Sequence, residues 1–238
     1  MNGIIGIAGV LTMLVVVGTF IGITNRKNFS VTWLLIAAGL VLLNDVLLTN
    51  AYGLIPNLIP GSEWNWQGKI FALVGTLIVA SLPGFGWQRS GLTLKQAEGS
   101  LRSCVPIAIA YCLFFVAIAL AFPNESASTE TVAFQLTMPS FEEEPFYRGI
   151  LLLALYEAYA GRIRKFNVEW GWGAILSCLL FGLTHAFGYS DGSFTFDPIY
   201  LALTVIPSFL AVWIRLRTGS LLLPVLMHSA GNSIPLFL

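Results

Sequence analysis

Apolar residues run through this chain in long stretches, and polar residues gather in the short gaps between them. The stretches fall at roughly 3–24, 31–53, 70–88, 104–122, 134–160, 171–189, 196–216 and 220–237. Each is near the ~20 residues a helix needs to cross hydrocarbon. The gaps hold residues that break helices: Pro56, Pro60 and Gly61 in one, Pro123 and Asn124 in another, Asp191-Gly192 in a third. This pattern predicts an all-α fold, a polytopic membrane helical bundle of about eight transmembrane helices. It forms a single integral membrane domain over 1–238, with no internal repeat. Met1 to about Thr24 has no basic segment ahead of its apolar run and no clear cleavage site, so it reads as a first span and not a removed signal.

Composition strengthens that reading. Hydrophobic residues make up 56% of the chain, charged residues 10%, and mean hydropathy is +0.80. A soluble domain would carry roughly 25% charged residues. The formal net charge is zero, which gives no reason to expect nucleic acid or an acidic partner. Cys104, Cys112 and Cys178 lie in apolar runs without a CxxC spacing and read as small core or lipid-facing residues. Charge also sorts by side. Arg26, Lys27, Arg89, Lys95, Arg102, Arg162, Arg164, Lys165, Arg215 and Arg217 fall in alternate gaps, and the remaining gaps hold only Lys69 among basic residues, with Glu63, Glu125, Glu130, Asp191 and Asp197. The positive-inside rule puts the basic gaps in the cytoplasm and both termini outside. Asn124-Glu125-Ser126 and Asn28-Phe29-Ser30 match the glycosylation sequon as short patterns do by chance. Trp64, Trp66, Trp87, Trp170 and Trp172 flank spans, as interfacial anchors do.

One stretch breaks the apolar pattern. Glu142-Glu143-Glu144-Pro145-Phe146-Tyr147-Arg148 puts four charges in seven positions, directly before Gly149-Ile150-Leu151-Leu152-Leu153. Ionisable groups in a bilayer are expensive, so by default they mark a functional site. Glu144 and Arg148 are four apart and suit an ion pair. Glu143 is turned about 100° away, free to face another helix. Both histidines of the chain lie downstream in apolar runs, and His228 shares a helical face with Asn232. A carboxylate beside an imidazole can hold and deprotonate water. A second histidine and an amide could stabilise an oxyanion. Plainer readings stand beside these. Ser140-Phe141-Glu142-Glu143 fits a capping box. His185 and Asn232 could be helix-to-helix hydrogen bonds. Asp45 suits a structural bond, Glu157 a pairing with a nearby arginine, and Phe181 a place under His185. The run by itself does not choose between Glu142 and Glu143; the motif register given below selects Glu143 and leaves Glu142 outside the chemistry, near the helix start. Two Glu and two His could also ligate zinc, although there is no HExxH.

Taken in order, Glu143 to Arg148 fits EExxxR, Phe181 to His185 fits FxxxH, and His228 to Asn232 fits HxxxN, with Arg217-Thr218-Gly219-Ser220-Leu221 leading in. Over roughly 139–235 the chain resembles the CAAX protease and bacteriocin-processing (abortive-infection) family of intramembrane glutamate proteases, related to the Ras-converting CAAX endopeptidases. The resemblance implies a metal-independent endopeptidase without a cofactor. It cuts a membrane-tethered protein or peptide near its C-terminus, the substrate being prenylated in the CAAX type. In it Glu143 is the general base, His185 helps hold the water, His228 and Asn232 form the oxyanion site, and Glu144 with Arg148 is the supporting pair. It implies a multi-pass protein of a prokaryotic cell membrane whose partners are the bilayer and the substrate. One feature departs from the family: the charge pattern puts the start of span five and the end of span six near the outer face, whereas a prenylated CAAX protein arrives from the cytoplasm. The alternatives are a non-catalytic membrane scaffold or peptide-immunity factor of the same fold, a metal-dependent membrane protease, and a transporter with a proton relay through Glu144, Asp45 and the histidines.

Overall fold

A computed structural model describes residues 2–122 and 126–238. The Pro123-Asn124 break and the Asn124 sequon lie outside the described residues. The chain is mostly helical, as backbone in lipid must be, because hydrocarbon offers no partner for an unpaired N–H or C=O. The helices are α1 (Asn2–Thr24), α2 (Val31–Leu48), α3 (Trp66–Ser81), α4 (Leu101–Ala121), α5 (Thr129–Glu143), α6 (Leu152–Ala158), α7 (Trp172–Ala186), α8 (Pro198–Thr218) and α9 (Leu222–Ser233). A π-helical stretch, Glu144–Leu151, joins α5 to α6 without a break. Starts are set by side-chain caps: Ser128 accepts from Thr131 N–H at 3.1 Å, and Asp197 accepts from Ile199 and Tyr200 N–H at 2.8 and 3.0 Å. Gly219, at φ 74°, ends α8 in the left-handed conformation that a β-carbon disfavours.

Among the described residues, four helices are long and apolar enough to cross a membrane: α1, α2, α4 and α8. α3 and α7 are apolar but shorter. The expectation of about eight full-length spans is therefore met only in part. The predicted runs 31–53 and 70–88 spill past their helices, because gap residues such as Ala51, Tyr52, Leu82 and Phe85 look like span to a hydropathy window. Two short antiparallel hairpins also occur, β1 (Ile163–Lys165) with β2 (Val168–Trp170) and β3 (Phe187–Ser190) with β4 (Ser193–Phe196). The second turns at Asp191-Gly192, both at positive φ, as a tight two-residue hairpin turn requires.

α5 packs between α3 and α9, α7 lies along α8, and α2 rests on α1, α3 and α6. The main core runs from Ile7, Val10 and Leu14 through Leu34, Ala37 and Val41 to Phe146, Ile150, Leu151 and Phe181. The two ends of the bundle are tied differently. At one end the basic gaps meet: Arg89 pairs with Glu157 at 2.6 Å, Arg215 donates to the Arg89 carbonyl at 2.7 Å, and Ala97 N–H donates to the Thr218 carbonyl at 2.7 Å. Glu157 thus has the arginine partner expected of it. Arg215 is not a loop residue; it lies buried in the last turn of α8. At the other end, Trp66 Nε1 donates to Glu130 at 3.0 Å, Trp64 Nε1 to Thr131 at 2.9 Å, and Ser128 to Glu63 at 2.6 Å. These bonds fix the start of α3 against the start of α5. α2 ends nearby in a left-handed turn, where Tyr52 donates to Asp45 at 2.8 Å, the structural bond expected there.

Two sequence expectations fail here. Ser140-Phe141-Glu142-Glu143 is not a capping box, because α5 begins eleven residues earlier at Thr129 and runs through it. Lys69 is not a gap residue either; it sits in the first turns of α3.

Candidate active site

All eight residues of the π-helical stretch are buried. Pro145 has no N–H to give to the helix, and the turn around it widens until Leu152 N–H reaches the Tyr147 carbonyl, five residues back. That carbonyl also accepts from Ser177 at 2.7 Å, and Tyr147 Oη shares a 2.8 Å hydrogen bond with Thr184. Both bonds pin the stretch to α7. Ser140 and Ser229 hydroxyls, 2.6 Å apart, pin α5 to α9.

The three carboxylates then divide: Glu142 and Glu143 share one cation, and Glu144 has partners of its own. Glu144, 1% exposed, receives Arg148 Nη1 at 3.2 Å and His228 Nδ1–H at 2.8 Å, both on Oε1. The pair inferred from the four-residue spacing is present. Arg148, 2% exposed, lies over the Phe181 ring at 4.0 Å. Glu143 places Oε2 at 3.7 Å from His228 Nε2 and 4.0 Å from His185 Nε2. Its Oε1 accepts from Lys69 Nζ at 2.6 Å. Glu142, expected to stand apart, is fully buried and takes the same ammonium at 2.7 Å. Burial explains the correction: a carboxylate facing the bundle interior needs a cation, and Lys69 is the one within reach.

The histidine tautomers follow from their partners. His185 Nδ1 sits 2.7 Å from the Phe181 carbonyl and must carry the proton there, so neutral His185 presents a lone pair on Nε2 toward Glu143. The FxxxH spacing therefore has a physical content: the phenylalanine carbonyl, one turn back, sets the tautomer. The Phe181 ring packs 4.6 Å from His185, as expected, and edge-on to His228 at 6.2 Å. His228 gives its Nδ1–H to Glu144. Asn232 is one turn further along α9, and its Nδ2 donates to Gln135 at 3.2 Å.

Two cavities meet at this cluster. The larger, ≈ 680 Å³, lies between α4, α5, α8 and α9 and is lined by Glu143, Glu144, His185, His228 and Asn232. The smaller, ≈ 200 Å³, reaches Lys69, Glu142, Glu143 and His185 from the side of Asn44 and Asp45. A mostly apolar groove of ≈ 740 Å³ between α4 and α8 adjoins the larger cavity and shares Tyr111, Phe115 and Pro207 with it.

All six residues singled out for the site thus come together. Lys69 and Gln135 were missed. A signal for Lys69 existed, since it is a lone cation at the head of an apolar run in a charge-poor chain. Gln135 carried none. Among the described residues, no three or more His, Cys, Asp or Glu side chains form a group that could hold a metal ion.

No curated protein and no solved structure matches the chain. Residues 125–234 match the family model described as "Type II CAAX prenyl endopeptidase Rce1-like", and that segment contains every motif residue. That segment is just under half of the chain, and over it the chain is similar to the Rce1-like CAAX endopeptidases.

Proposed function

We propose that this protein is a metal-independent glutamate endopeptidase working inside the membrane, with Glu143 as its general base. Its substrate is a membrane-tethered protein or peptide, cut near the C-terminus. The observation that carries the reading is the facing of Glu143 Oε2 and His185 Nε2, two acceptors 4.0 Å apart in a cavity within an apolar bundle. That gap is too long for a direct hydrogen bond and suits one water donating to both. In this scheme the bundle makes eight crossings, with α5, the π-helical stretch and α6 counted as one. The apolar groove beside the cavity suits the substrate's apolar anchor, a prenyl chain in the CAAX type.

The chemistry balances with groups of this chain. Glu143 takes a proton from water as the water oxygen attacks the scissile carbonyl. The carbonyl π pair moves onto oxygen, where Asn232 Nδ2–H and the imidazolium of His228 receive it. One Nδ2 hydrogen goes to Gln135, which leaves the other free and fixes the amide plane. Glu144 and Arg148 hold His228 with its Nδ1 protonated and its Nε2 toward the site. Collapse breaks the C–N bond, and Glu143 returns the proton to the leaving nitrogen. Lys69 serves as an anchor: by holding Oε1 it aims Oε2 at the imidazoles, and Glu142 offsets its charge.

The test is cleavage of a peptide library by purified protein in detergent, read by mass spectrometry. Glu143→Ala and His185→Ala are each expected to lose about 10²–10⁴-fold in rate while remaining folded, the usual share of a general base and its partner. Undiminished cleavage by either purified variant refutes the assignment. Chelators are expected to leave the rate intact; a loss that zinc alone restores would favour a metal-dependent protease.

A further inference from the structure

The cavity is not placed evenly along the bundle. Its lining is weighted toward one end, although Pro224 at the start of α9 and Ala211 in α8 carry it past the middle of the bundle. Trp64, Asn65 and Lys69 precede or open α3, Phe134 and Gln135 lie in the first turns of α5, and Tyr200 opens α8. His185 is next to last in α7, and Asn232 is next to last in α9. This is the end where Glu63, Glu130, Asp191 and Asp197 lie. It holds no arginine, and Lys69 is spent on Glu142 and Glu143. The basic gaps meet at the opposite end, joined by Arg89, Glu157 and Arg215, with Arg26, Lys27, Lys95, Arg102, Arg162, Arg164, Lys165 and Arg217 around them.

Basic residues in short gaps next to membrane helices are retained on the cytoplasmic side, and the bias follows Lys and Arg, with Asp and Glu contributing little. Here ten of the twelve Lys and Arg are at one end, and the other two, Lys69 and Arg148, are inside the bundle, ion-paired with carboxylates. Lys69, in the first turns of α3, is the one lysine toward the cavity end, against ten basic residues at the other. We infer that the cavity opens to the non-cytoplasmic face and takes peptide segments presented there, in contrast to a prenylated C-terminus arriving from the cytoplasm. The orientation rests on charge and geometry alone; the choice of a peptide as occupant rests on the endopeptidase reading above.

Two single-cysteine variants in a background lacking Cys104, Cys112 and Cys178 separate the two parts. Ser193 is exposed in the β3–β4 hairpin beside the cavity end, and Glu98 is exposed in the gap before α4 at the basic end. With the protein in a bacterial inner membrane, a membrane-impermeant maleimide added to intact spheroplasts is expected to label Ser193→Cys and to label Glu98→Cys only after permeabilisation. The reverse pattern, or equal labelling of both, overturns the orientation whether or not any peptide is cut. In the second arm, intact spheroplasts are given a membrane-impermeant peptide that the detergent-purified protein cleaves. Cleavage outside the cell, absent with Glu143→Ala, is expected. Cleavage that appears only after permeabilisation overturns access from that face. Absence of cleavage in every preparation, detergent included, would sink the endopeptidase reading and leave the labelling result to decide orientation.

Discussion

α4 and the π-helical stretch are opposites. α4 is among the most apolar segments of the chain, yet among its 21 residues only Cys104, Ala108 and Ala119 are buried; Leu113, Phe114 and Leu120 point outward. The stretch Glu144–Leu151 carries a carboxylate and a guanidinium, and all of it is buried. In a water-soluble domain burial follows apolarity. In a bilayer the solvent is as apolar as leucine, so burial of a leucine earns little and burial of a charge is where the architecture concentrates its contacts. Sequence hydropathy then reports contact with lipid, and the polar exceptions report the interior.

The contrast can be broken most severely at Arg148. Arg148→Met leaves Glu144 buried without its guanidinium and is expected to destabilise the protein by about 3–5 kcal/mol. A lowered unfolding midpoint in detergent, read by intrinsic fluorescence, checks it; an unchanged midpoint would mean that His228 alone suffices for Glu144. A step down in effect is the charge-balanced double variant Lys69→Met/Glu142→Gln. It removes one cation and one anion together, so the net charge of the cluster is kept and only the anchor on Glu143 Oε1 is lost. A misaimed base is expected to cost about 10²-fold in kcat with KM little changed, and Lys69→Arg is expected to retain most of the rate. Wild-type kcat in the double variant would remove Lys69 from the machinery. The smallest effect is expected on the other side of the comparison. Leu113 is 62% exposed on α4, and Leu113→Ala should change stability by no more than about 0.5 kcal/mol. A larger loss in the same unfolding assay would show that this face packs against protein and not lipid.

How much of this could be read from sequence depends on range. Glu144 with Arg148, Phe181 under His185, and His228 with Asn232 were legible because each pair lies one helical turn apart, where spacing alone decides contact. Lys69 was not, since it meets Glu142 and Glu143 across more than seventy residues and no periodicity links them. Glu142 was misplaced for the same reason: with its partner unseen, it looked like a surplus acid near a helix start. The helix type was hidden as well, because Pro145 reads as a start or a kink and only the fold shows that the chain widens around it. Span ends failed where gap residues were themselves apolar, as between Leu48 and Trp66. The sorting of charge between the two ends survived, because it sums over many residues and tolerates errors of several positions in any one boundary.

The widened turn between α5 and α6 has one more consequence. A single π-helical turn is an α-helix that houses a surplus residue. α5 and α6 therefore keep the phase they would have in a continuous helix one residue shorter. The stretch is not insulated from its surroundings, since it packs on α3, α7, α2 and α8 itself. In terms of descent, loss of a single codon within it would leave α5 and α6 in phase as one continuous α-helix. The same loss would turn the carboxylates away from Lys69 and the imidazoles, so the surplus residue is tied to the site.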